Sequence, residues 1–178
     1  GNFITRIADD ATGQRYLSAI FGNSPFLARC VLRDPEFVAE LANASPEDIR
    51  DTLFLRVREE CRAAKNEADI MKILRQSKSR LALLTATADL TGTWALETIT
   101  ASLSDFASLA LNLSLEFLLR AEAALGSIEL DDLDDPCRSS GLVVIGMGKL
   151  GAGELNYSSD IDLIVLWDQE VVRYTGRR

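Results

Sequence analysis

Hydrophobic side chains recur at helical spacing along roughly the first 126 residues of the chain. Two long runs of this kind cover residues 67–90 and 93–125, and the second ends before Gly126, a residue suited to closing a helix. An earlier run follows Pro46, with apolar positions at Ile49, Leu53, Leu55, Val57 and Cys61. Long helices joined by short breaks predict an antiparallel bundle.

Helix starts are marked by a capping side chain followed by proline. This pair occurs at Ser24-Pro25, Asp34-Pro35 and Ser45-Pro46. The polar side chain can accept a hydrogen bond from the first turn, and proline suits the first helical position. We therefore expect helices to begin at Pro25, Pro35 and Pro46, and a further one after Asn66.

The pattern changes after Gly126. Residues 128–140, "IELDDLDDPCRSS", predict a charged connection, with an acidic metal site as the less favoured interpretation. Two short β-branched runs then predict buried strands at Leu142–Gly146 and Ile161–Trp167. The sequence thus predicts an α+β chain: a helical bundle (1–127), an acidic linker (128–140) and the start of an α/β sheet domain (141–178).

Composition narrows the possible chemistry. Of the 178 residues, 47% are hydrophobic and 26% charged, as in a soluble globular protein. The net charge of −8 argues against a nucleic-acid partner, which requires a basic surface. The absence of histidine excludes His general bases, Ser–His nucleophile pairs and imidazole zinc ligands. Chemistry here must therefore use carboxylates, basic side chains, hydroxyls or metals bound by oxygen.

Compartment signals are weak but consistent with one another. The three cysteines include no C-x-x-C pair, as in a cytosolic protein with reduced thiols. The first residues, "GNFITRIADD", lack the apolar core of a signal peptide. The apolar stretch "FASLALNLSL" (106–115) is about half the length of a membrane span. We therefore expect a cytoplasmic location and no membrane partner, and starting at Gly1 suggests a processed end or a piece of a longer chain.

The glycines of "VVIGMGKLGAGELNYSSDIDLIVLW" admit a dinucleotide-binding interpretation. Gly146, Gly148 and Gly151 match G-x-G-x-x-G after a predicted strand. Only nine residues separate Gly151 from Ile161, too few for the crossover helix of a Rossmann unit. An NAD-binding protein is therefore a remote alternative. A G-x-x-x-x-G-K-[ST] phosphate loop fails because Val143 replaces its first glycine and Leu150 its hydroxyl residue.

The aspartates of the same stretch indicate a metal site. Asp160 and Asp162 stand at the entry of the second predicted strand, where side chains alternate between faces. Both carboxylates would share one face about 6.6 Å apart, with Ile161 directed into the core. Carboxylate oxygens suit Mg²⁺, and a metal pair can stabilise the entering and departing oxygens of phosphoryl transfer. Backbone N–H groups at the glycines and the charge of Lys149 would hold a phosphate.

A basic cluster within the helical region has two interpretations. Arg75, Lys78 and Arg80 fall within one and a half turns. The favoured interpretation is a solvated helix face with ion pairs three residues apart. The alternative is a positive wall that faces a phosphate in the adjoining domain.

The stretch "GMGKLGAGELNYSSDIDLIVLWD" resembles the signature of the bacterial nucleotidyltransferases that modify glutamine synthetase. The superfamily pattern of a glycine turn followed by two aspartates maps onto Gly148-Lys149 and Asp160-Ile161-Asp162. Most superfamily members have serine after the glycine, and Lys149 matches the glutamine-synthetase-modifying subgroup. The stretch "FGNSPFLARCVLRDPEFVAEL" (21–41) resembles the helical region upstream of that site.

The resemblance implies a nucleotidyltransferase-type sheet domain and a division of labour among the site residues. Asp160 and Asp162 would bind Mg²⁺ (or Mn²⁺), and Gly148, Lys149 and Ser159 would line the phosphate site. Partners would be glutamine synthetase and a PII-type signal protein, and small ligands would be ATP, ADP and phosphate. Glu154 and Asn156 would brace the loop.

In that family one domain attaches AMP from ATP to a tyrosine of glutamine synthetase, and another removes it by phosphorolysis to give ADP. The segment "ELNYSSDIDLIV" resembles the deadenylylating domain more closely. The adenylylating domain is one alternative, and a docking or regulatory module that binds glutamine synthetase or a PII-type protein is another. The family also uses a third carboxylate on a later strand, for which Asp168 and Glu170 follow too closely. We therefore expect residues 1–178 alone to have little or no activity.

Overall fold

Seven helices and four short strands form the part of the chain that the computed structural model describes, residues 11–138 and 140–176. Six helices come first: α1 (Ala11–Asn23), α2 (Pro25–Arg33), α3 (Pro35–Leu41), α4 (Pro46–Ala63), α5 (Glu67–Leu90) and α6 (Leu96–Ala124). There follow β1 (Ile128–Glu129), β2 (Leu142–Gly146), the one-turn helix α7 (Gly148–Gly151), β3 (Leu163–Trp167) and β4 (Arg173–Tyr174). The predicted α+β class is confirmed, whereas the nucleotidyltransferase type of the sheet stays a prediction.

The predicted helix starts are confirmed at all three proline sites. Side-chain oxygens of Ser24, Asp34 and Ser45 each accept a backbone hydrogen bond from three residues on, at 3.1–3.2 Å. Asn66 caps α5 in the same way, at 2.9 Å. These bonds satisfy N–H groups that have no partner inside the helix.

Helix α6 begins at Leu96, three residues later than predicted. The backbone N–H groups of Thr93 and Trp94 both donate to the carbonyl of Ala88, so this segment completes the end of α5 instead. The indole of Trp94 is buried and donates to Glu47 at 2.5 Å. At its other end α6 stops before Gly126, which has a φ of +72°, as the sequence predicts.

The main hydrophobic core lies entirely among the helices. Helices α4, α5 and α6 pack on one another, and α2 packs on α5. The side chains exposed by 2% or less in this core are Ile20, Val31, Phe37, Val38, Leu53, Val57, Leu81, Leu83, Leu84, Ala88 and Ile99. The helical region therefore provides the rigid body on which the sheet region is placed.

Among the described residues, α6 is the one helix long and apolar enough to cross a membrane by length and composition. The core helices of soluble proteins share this property. One face of α6, including Phe106, Leu109 and Leu113, is buried in the helical core. The absence of a membrane partner stays a prediction.

The two longer strands form an antiparallel hairpin. Leu142 pairs with Trp167 at one end and Gly146 with Leu163 at the other. The prediction of buried strands is wrong, because every residue of β3 is exposed and β2 only alternates between half-buried and exposed. A two-stranded hairpin buries few side chains by itself, and within the described residues each of these strands pairs only with the other.

A second two-stranded sheet joins the start of the predicted linker to the end of the described chain. Strand β1 pairs antiparallel with β4, with Ile128 opposite Tyr174. Arg173 forms an ion pair with Asp131 at 2.7 Å across this connection. The acidic segment is thus partly held by pairing, and the division at 1–127, 128–140 and 141–178 stays a prediction.

Candidate functional site

The glycine turn and Asp162 meet at one end of the β2–β3 hairpin. The backbone N–H of Met147 donates to the carbonyl of Asp162 at 2.9 Å, which continues the strand pairing by one step. Gly148 follows with a φ of +55°, and a Cβ placed there would lie 3.9 Å from Oδ2 of Asp162. The structure therefore brings together two of the predicted site residues, Gly148 and Asp162.

The other two glycines of the motif serve close packing of α7 on β2. A Cβ on Gly146 would lie 2.8 Å from Cγ of Leu150, and one on Gly151 would lie 2.5 Å from the carbonyl oxygen of Gly146. Helix α7 has four residues, and the strands on either side of it are antiparallel. A Rossmann unit requires parallel strands and a longer helix. The remote dinucleotide interpretation is therefore wrong.

The loop between α7 and β3 is organised around Asn156. Its Oδ1 accepts hydrogen bonds from the Ser159 hydroxyl at 2.8 Å and from the Ser158 backbone at 3.0 Å. The Asn156 backbone N–H in turn donates to Ser159 Oγ at 3.2 Å. Asn156 thus has the bracing role expected of it. For Glu154, the structure shows a backbone N–H donated to the Lys149 carbonyl at 2.7 Å.

Asp160 and Asp162 lie immediately before the regular strand, which begins at Leu163 and not at Ile161 as predicted. Asp160 lines a large cavity, while Asp162 faces the glycine turn. The expectation that Ile161 enters the core is wrong: the side chain is 41% exposed and lines the same cavity as Asp160. The shared metal face of the two aspartates stays a prediction.

Lys149 and Ser159 occupy the two sides of this region. Lys149 is exposed on α7, directly after Gly148. Ser159 is half-buried, lines the cavity beside Asp160 and is oriented by Asn156. Both positions are open to a ligand, and their role in phosphate binding stays a prediction.

Two long-range hydrogen bonds fix the loop on the helical body. The backbone N–H of Leu155 donates to Ser104 Oγ on α6 at 3.1 Å, in a buried position. The Tyr157 hydroxyl donates to Asp89 on α5 at 3.4 Å. Tyr157 is 46% exposed, and the partial burial of its side chain, together with the smaller effect of the charge of Asp89, raises the pKa of Tyr157 to about 12. Neither anchor has a local signal in the sequence, because the bonded residues are separated by 51 positions in one case and by 68 in the other.

A cavity of about 1330 Å³ separates the helices from residues 155–161. Its helical wall is mostly apolar and comes from α1, α2, α5 and α6, while Ser159 and Asp160 lie on the opposite side. Arg75 and Lys78 also line it, and the less favoured interpretation of the basic cluster, a positive wall that faces a phosphate, stays a prediction. Arg80 is directed elsewhere and forms an ion pair with Asp34 at 2.6 Å.

The arrangement of glycine turn, loop and aspartates can be compared with known proteins. The sequence model of the glutamate-ammonia ligase adenylyltransferase family matches residues 14–178, nearly the whole chain. This chain belongs to that family.

Curated relatives in this family are similar to the chain over most of its length. The chain is 47% identical over 148 residues, 83% of its length, to the bifunctional glutamine synthetase adenylyltransferase/adenylyl-removing enzyme of Bradyrhizobium sp. strain BTAi1. It is 43% identical over 85% of its length to the enzyme of the same name from Rhodopseudomonas palustris strain BisB5. The matches cover 15% of each relative. The chain therefore corresponds to a small part of these glutamate-ammonia ligase adenylyltransferase relatives.

Asp168, one of the two acids that follow β3, lies at the far end of that strand from Asp162. Asp168 follows β3 at the end opposite Asp162, about 20 Å along the strand at ordinary strand rise. Its side chain accepts a hydrogen bond from the backbone of Glu170 at 2.9 Å, and its N–H donates to the Gly141 carbonyl at 2.8 Å. Asp168 therefore closes the turn between β3 and β4.

Binding of Mg²⁺ or Mn²⁺ by Asp160 and Asp162 stays a prediction. Within residues 11–138 and 140–176, no group of three or more Asp, Glu, Cys or His side chains is placed to hold a metal. Magnesium typically binds one or two carboxylates and completes its shell with water and substrate phosphate oxygens. Asp160 and Asp162 supply donors of this type.

Proposed function

We propose that this chain carries a divalent-metal-dependent nucleotidyl-transfer site that acts on glutamine synthetase. The reaction that we propose is removal of AMP from an adenylyl-tyrosine by phosphorolysis, which yields ADP and free tyrosine. The site comprises Asp160, Asp162, Gly148, Lys149 and Ser159. Full activity would require further parts of a longer protein, since the matches cover 15% of the relatives.

The observation that supports this proposal most directly is the register of the hairpin. Pairing of Gly146 with Leu163 and the bond from Met147 to Asp162 set the acidic segment opposite the glycine turn. At Gly148 the backbone has no side chain between it and the Asp162 carboxylate. A phosphate group could therefore approach backbone N–H groups and an acid-bound cation together.

Asp160 and Asp162 are the residues that would hold Mg²⁺ or Mn²⁺. A divalent cation bound there would supply positive charge to neutralise the phosphates and the departing phenolate. Without a cation, two carboxylates near an anionic substrate would repel it.

The chain's own residues would bind and orient the reactants. Lys149 offers a point charge, and Ser159 a hydroxyl held in place by Asn156. An oxygen of inorganic phosphate would attack the α-phosphorus of the adenylyl group, and the bond from that phosphorus to the tyrosine oxygen would break. The phenolate would take a proton from solvent. Positioning and charge neutralisation carry such a reaction without a strong general base, in accordance with a chain that has no histidine.

The test uses a full-length protein of this family that contains the chain. We expect Asp160→Asn and Asp162→Asn each to lower the rate of ADP formation from phosphate and adenylylated glutamine synthetase by at least about 100-fold, as for loss of a group that acts in the transition state. Asp168→Asn is the matched control, because Asp168 lies at the opposite end of β3. Undiminished turnover in either site variant would rule out the assignment.

Two further measurements separate the alternatives. The first measures the formation of adenylylated glutamine synthetase from ATP. Loss of this reaction in the same variants would assign the site to the adenylylating reaction. The second measures binding of glutamine synthetase or a PII-type protein by a variant that carries both Asp160→Asn and Asp162→Asn. Binding with unaltered turnover would favour a docking or regulatory module.

A further inference from the structure

A second, smaller pocket lies on the helical body between α2, α3 and α5. It has a volume of about 310 Å³ and is lined by four arginines, Arg29, Arg33, Arg75 and Arg80; Asp34 is the one acidic lining residue among those that the structure describes. Phe26, Phe37 and Leu83 contribute apolar surface, and the remaining lining residues are Cys30, Gln76 and Ser79. We call this space the arginine pocket. Its charge contrasts with the net charge of −8 of the whole chain.

The one carboxylate of the arginine pocket is already engaged. Asp34 Oδ2 accepts from Nε of Arg80 at 2.6 Å, and its Oδ1 caps α3 through the Phe37 N–H at 3.2 Å. The Arg80 guanidinium also lies over the Phe37 ring, 5.4 Å from its centroid. Arg80 is therefore held in place by Asp34 and Phe37.

The remaining three arginines lack acidic partners within the described chain. None of the ion pairs there includes Arg29, Arg33 or Arg75. Arg29 and Arg33 are four residues apart on α2 and so share one helical face, whereas Arg75 comes from α5. The charges of Arg29 and Arg33 act on the thiol of Cys30, which lines the same pocket. Both lower its pKa, against the larger raising effect of burial. Like charges gathered in one concavity repel unless an anion binds between them.

A third pocket of similar size also contains arginines, but there acidic residues match them in number. It has a volume of about 390 Å³ and contains Arg58 and Arg62, but also Asp105 and Glu116. Two acids there balance two bases. The arginine pocket, with four bases against one acid, is the space where an added anion would be stabilised.

We propose that the arginine pocket binds a phosphate group, as free inorganic phosphate or as the phosphate of a nucleotide. Guanidinium groups present paired N–H donors that match phosphate oxygens, and a dianion offsets two of the charges. The buried ring of Phe37 forms an apolar wall, and apolar surroundings strengthen charge interactions. Arg75, Ser79 and Phe26 also line the large cavity, so the two spaces adjoin without sharing the aspartates.

This site is independent of the proposed nucleotidyl-transfer site. No cation is needed for it, and Asp160 and Asp162 lie outside its lining. Binding can therefore be measured in the absence of divalent metal, a condition in which the carboxylates of Asp160 and Asp162 would repel an anion from the proposed nucleotidyl-transfer site.

The experiment measures ³¹P line broadening of inorganic phosphate and of AMP on the full chain at low ionic strength, and ¹H line broadening of adenosine as a third ligand. We expect saturable binding, weakened at least about 10-fold by Arg29→Gln with Arg33→Gln, because two charged hydrogen-bond donors are removed. The matched control is Arg58→Gln with Arg62→Gln, which removes the same charge from the balanced pocket. We call Arg29→Gln with Arg33→Gln the α2 pair. If the α2 pair alters the circular dichroism spectrum, and hence the fold, Arg75→Gln on α5 replaces it as the test variant.

Each outcome of the experiment either supports or overturns phosphate binding by the arginine pocket. Saturation by both phosphate and AMP, sensitive to the α2 pair, supports a general phosphate site, and saturation by AMP but not phosphate supports a nucleotide as the source. Absence of saturable binding overturns the proposal. The same holds if the α2 pair and the control pair weaken binding equally, or if adenosine binds as well as AMP.

Discussion

The hydroxyl of Ser104, in the middle of α6, accepts a hydrogen bond from the backbone N–H of Leu155 at 3.1 Å. Both residues are 5% exposed. The same hydroxyl donates to the Thr100 carbonyl at 2.8 Å, so its position is fixed by its own helix. Leu155 begins the segment that leads to Asp160 and Asp162, and this bond places that segment on the helical body.

Ser104→Ala tests that link. The change leaves a buried N–H at Leu155 without a partner, which costs about 1–3 kcal/mol in the free energy of unfolding. Ser102→Ala is the matched control: Ser102 is 1% exposed on the same helix, but its hydroxyl bonds only to Thr98 of α6. Urea unfolding followed by circular dichroism measures both. Equal effects of the two substitutions would show that Ser104 does not anchor the loop.

Gly151→Ala tests the packing of α7 on β2. The new methyl group would lie 2.5 Å from the Gly146 carbonyl oxygen, which is backbone and must move. We expect a loss of about 1–3 kcal/mol in the free energy of unfolding, with faster amide hydrogen exchange in β2 and β3. At Gly22, inside α1, a Cβ would meet nothing within 4 Å. Gly22→Ala should therefore be neutral or stabilise by about 0.4–1 kcal/mol, and an opposite ranking would contradict this account.

Local patterns predicted the helices well because their determinants are local. Ser24, Asp34 and Ser45 each cap the helix that starts at the next residue, which requires only neighbours in sequence. The start of α6 was missed because the Trp94 indole is held by Glu47, on a different helix. The strands were wrongly predicted to be buried, because burial depends on what covers a sheet, and residue type alone does not show that.

The candidate site follows the same division. Two β-branched runs predicted the strands on either side of the glycines, whereas the antiparallel register that brings Gly148 towards Asp162 became visible only in the structure. The bonds from Ser104 and Asp89 to the loop are long-range and had no signal. The arginine pocket had a partial signal in Arg29 and Arg33, four residues apart, but its composition depends on the packing of α2 against α5.

Substitutions of Asp34 separate its two contacts. Asp34→Ala removes both the α3 cap and the ion pair with Arg80, whose side chains are 19% and 17% exposed. We expect a loss of about 2 kcal/mol in the free energy of unfolding, and roughly half of that for Asp34→Asn, which retains a capping oxygen. Asp51→Ala is the control, since Asp51 is 65% exposed and pairs with the adjacent Arg50. Its cost should stay below about 0.5 kcal/mol. A similar loss for Asp34→Ala and Asp51→Ala in urea unfolding would contradict the prediction.

The raised pKa of Tyr157 predicts a specific dependence of stability on pH. Burial, followed by the charge of Asp89, raises this pKa from 10.0 to about 12 in the folded chain. Between these two values the unfolded chain releases the phenolic proton while the folded chain retains it, so ionisation favours unfolding. The contribution of the neutral phenol is complete below pH 10 and is lost progressively as the pH rises towards 12.

Tyr157→Phe removes the ionisable group and should flatten this dependence. We expect the free energy of unfolding of the unmodified chain to fall more steeply than that of the variant above pH 10. Absorbance at 295 nm should show one tyrosine fewer titrating near pH 12 in the variant. Because burial is the larger cause of the shift, Asp89→Asn should lower the pKa of Tyr157 only in part. Parallel pH profiles for the unmodified chain and Tyr157→Phe would mean that the phenol is solvated, and that the loop does not rest on α5 through this residue.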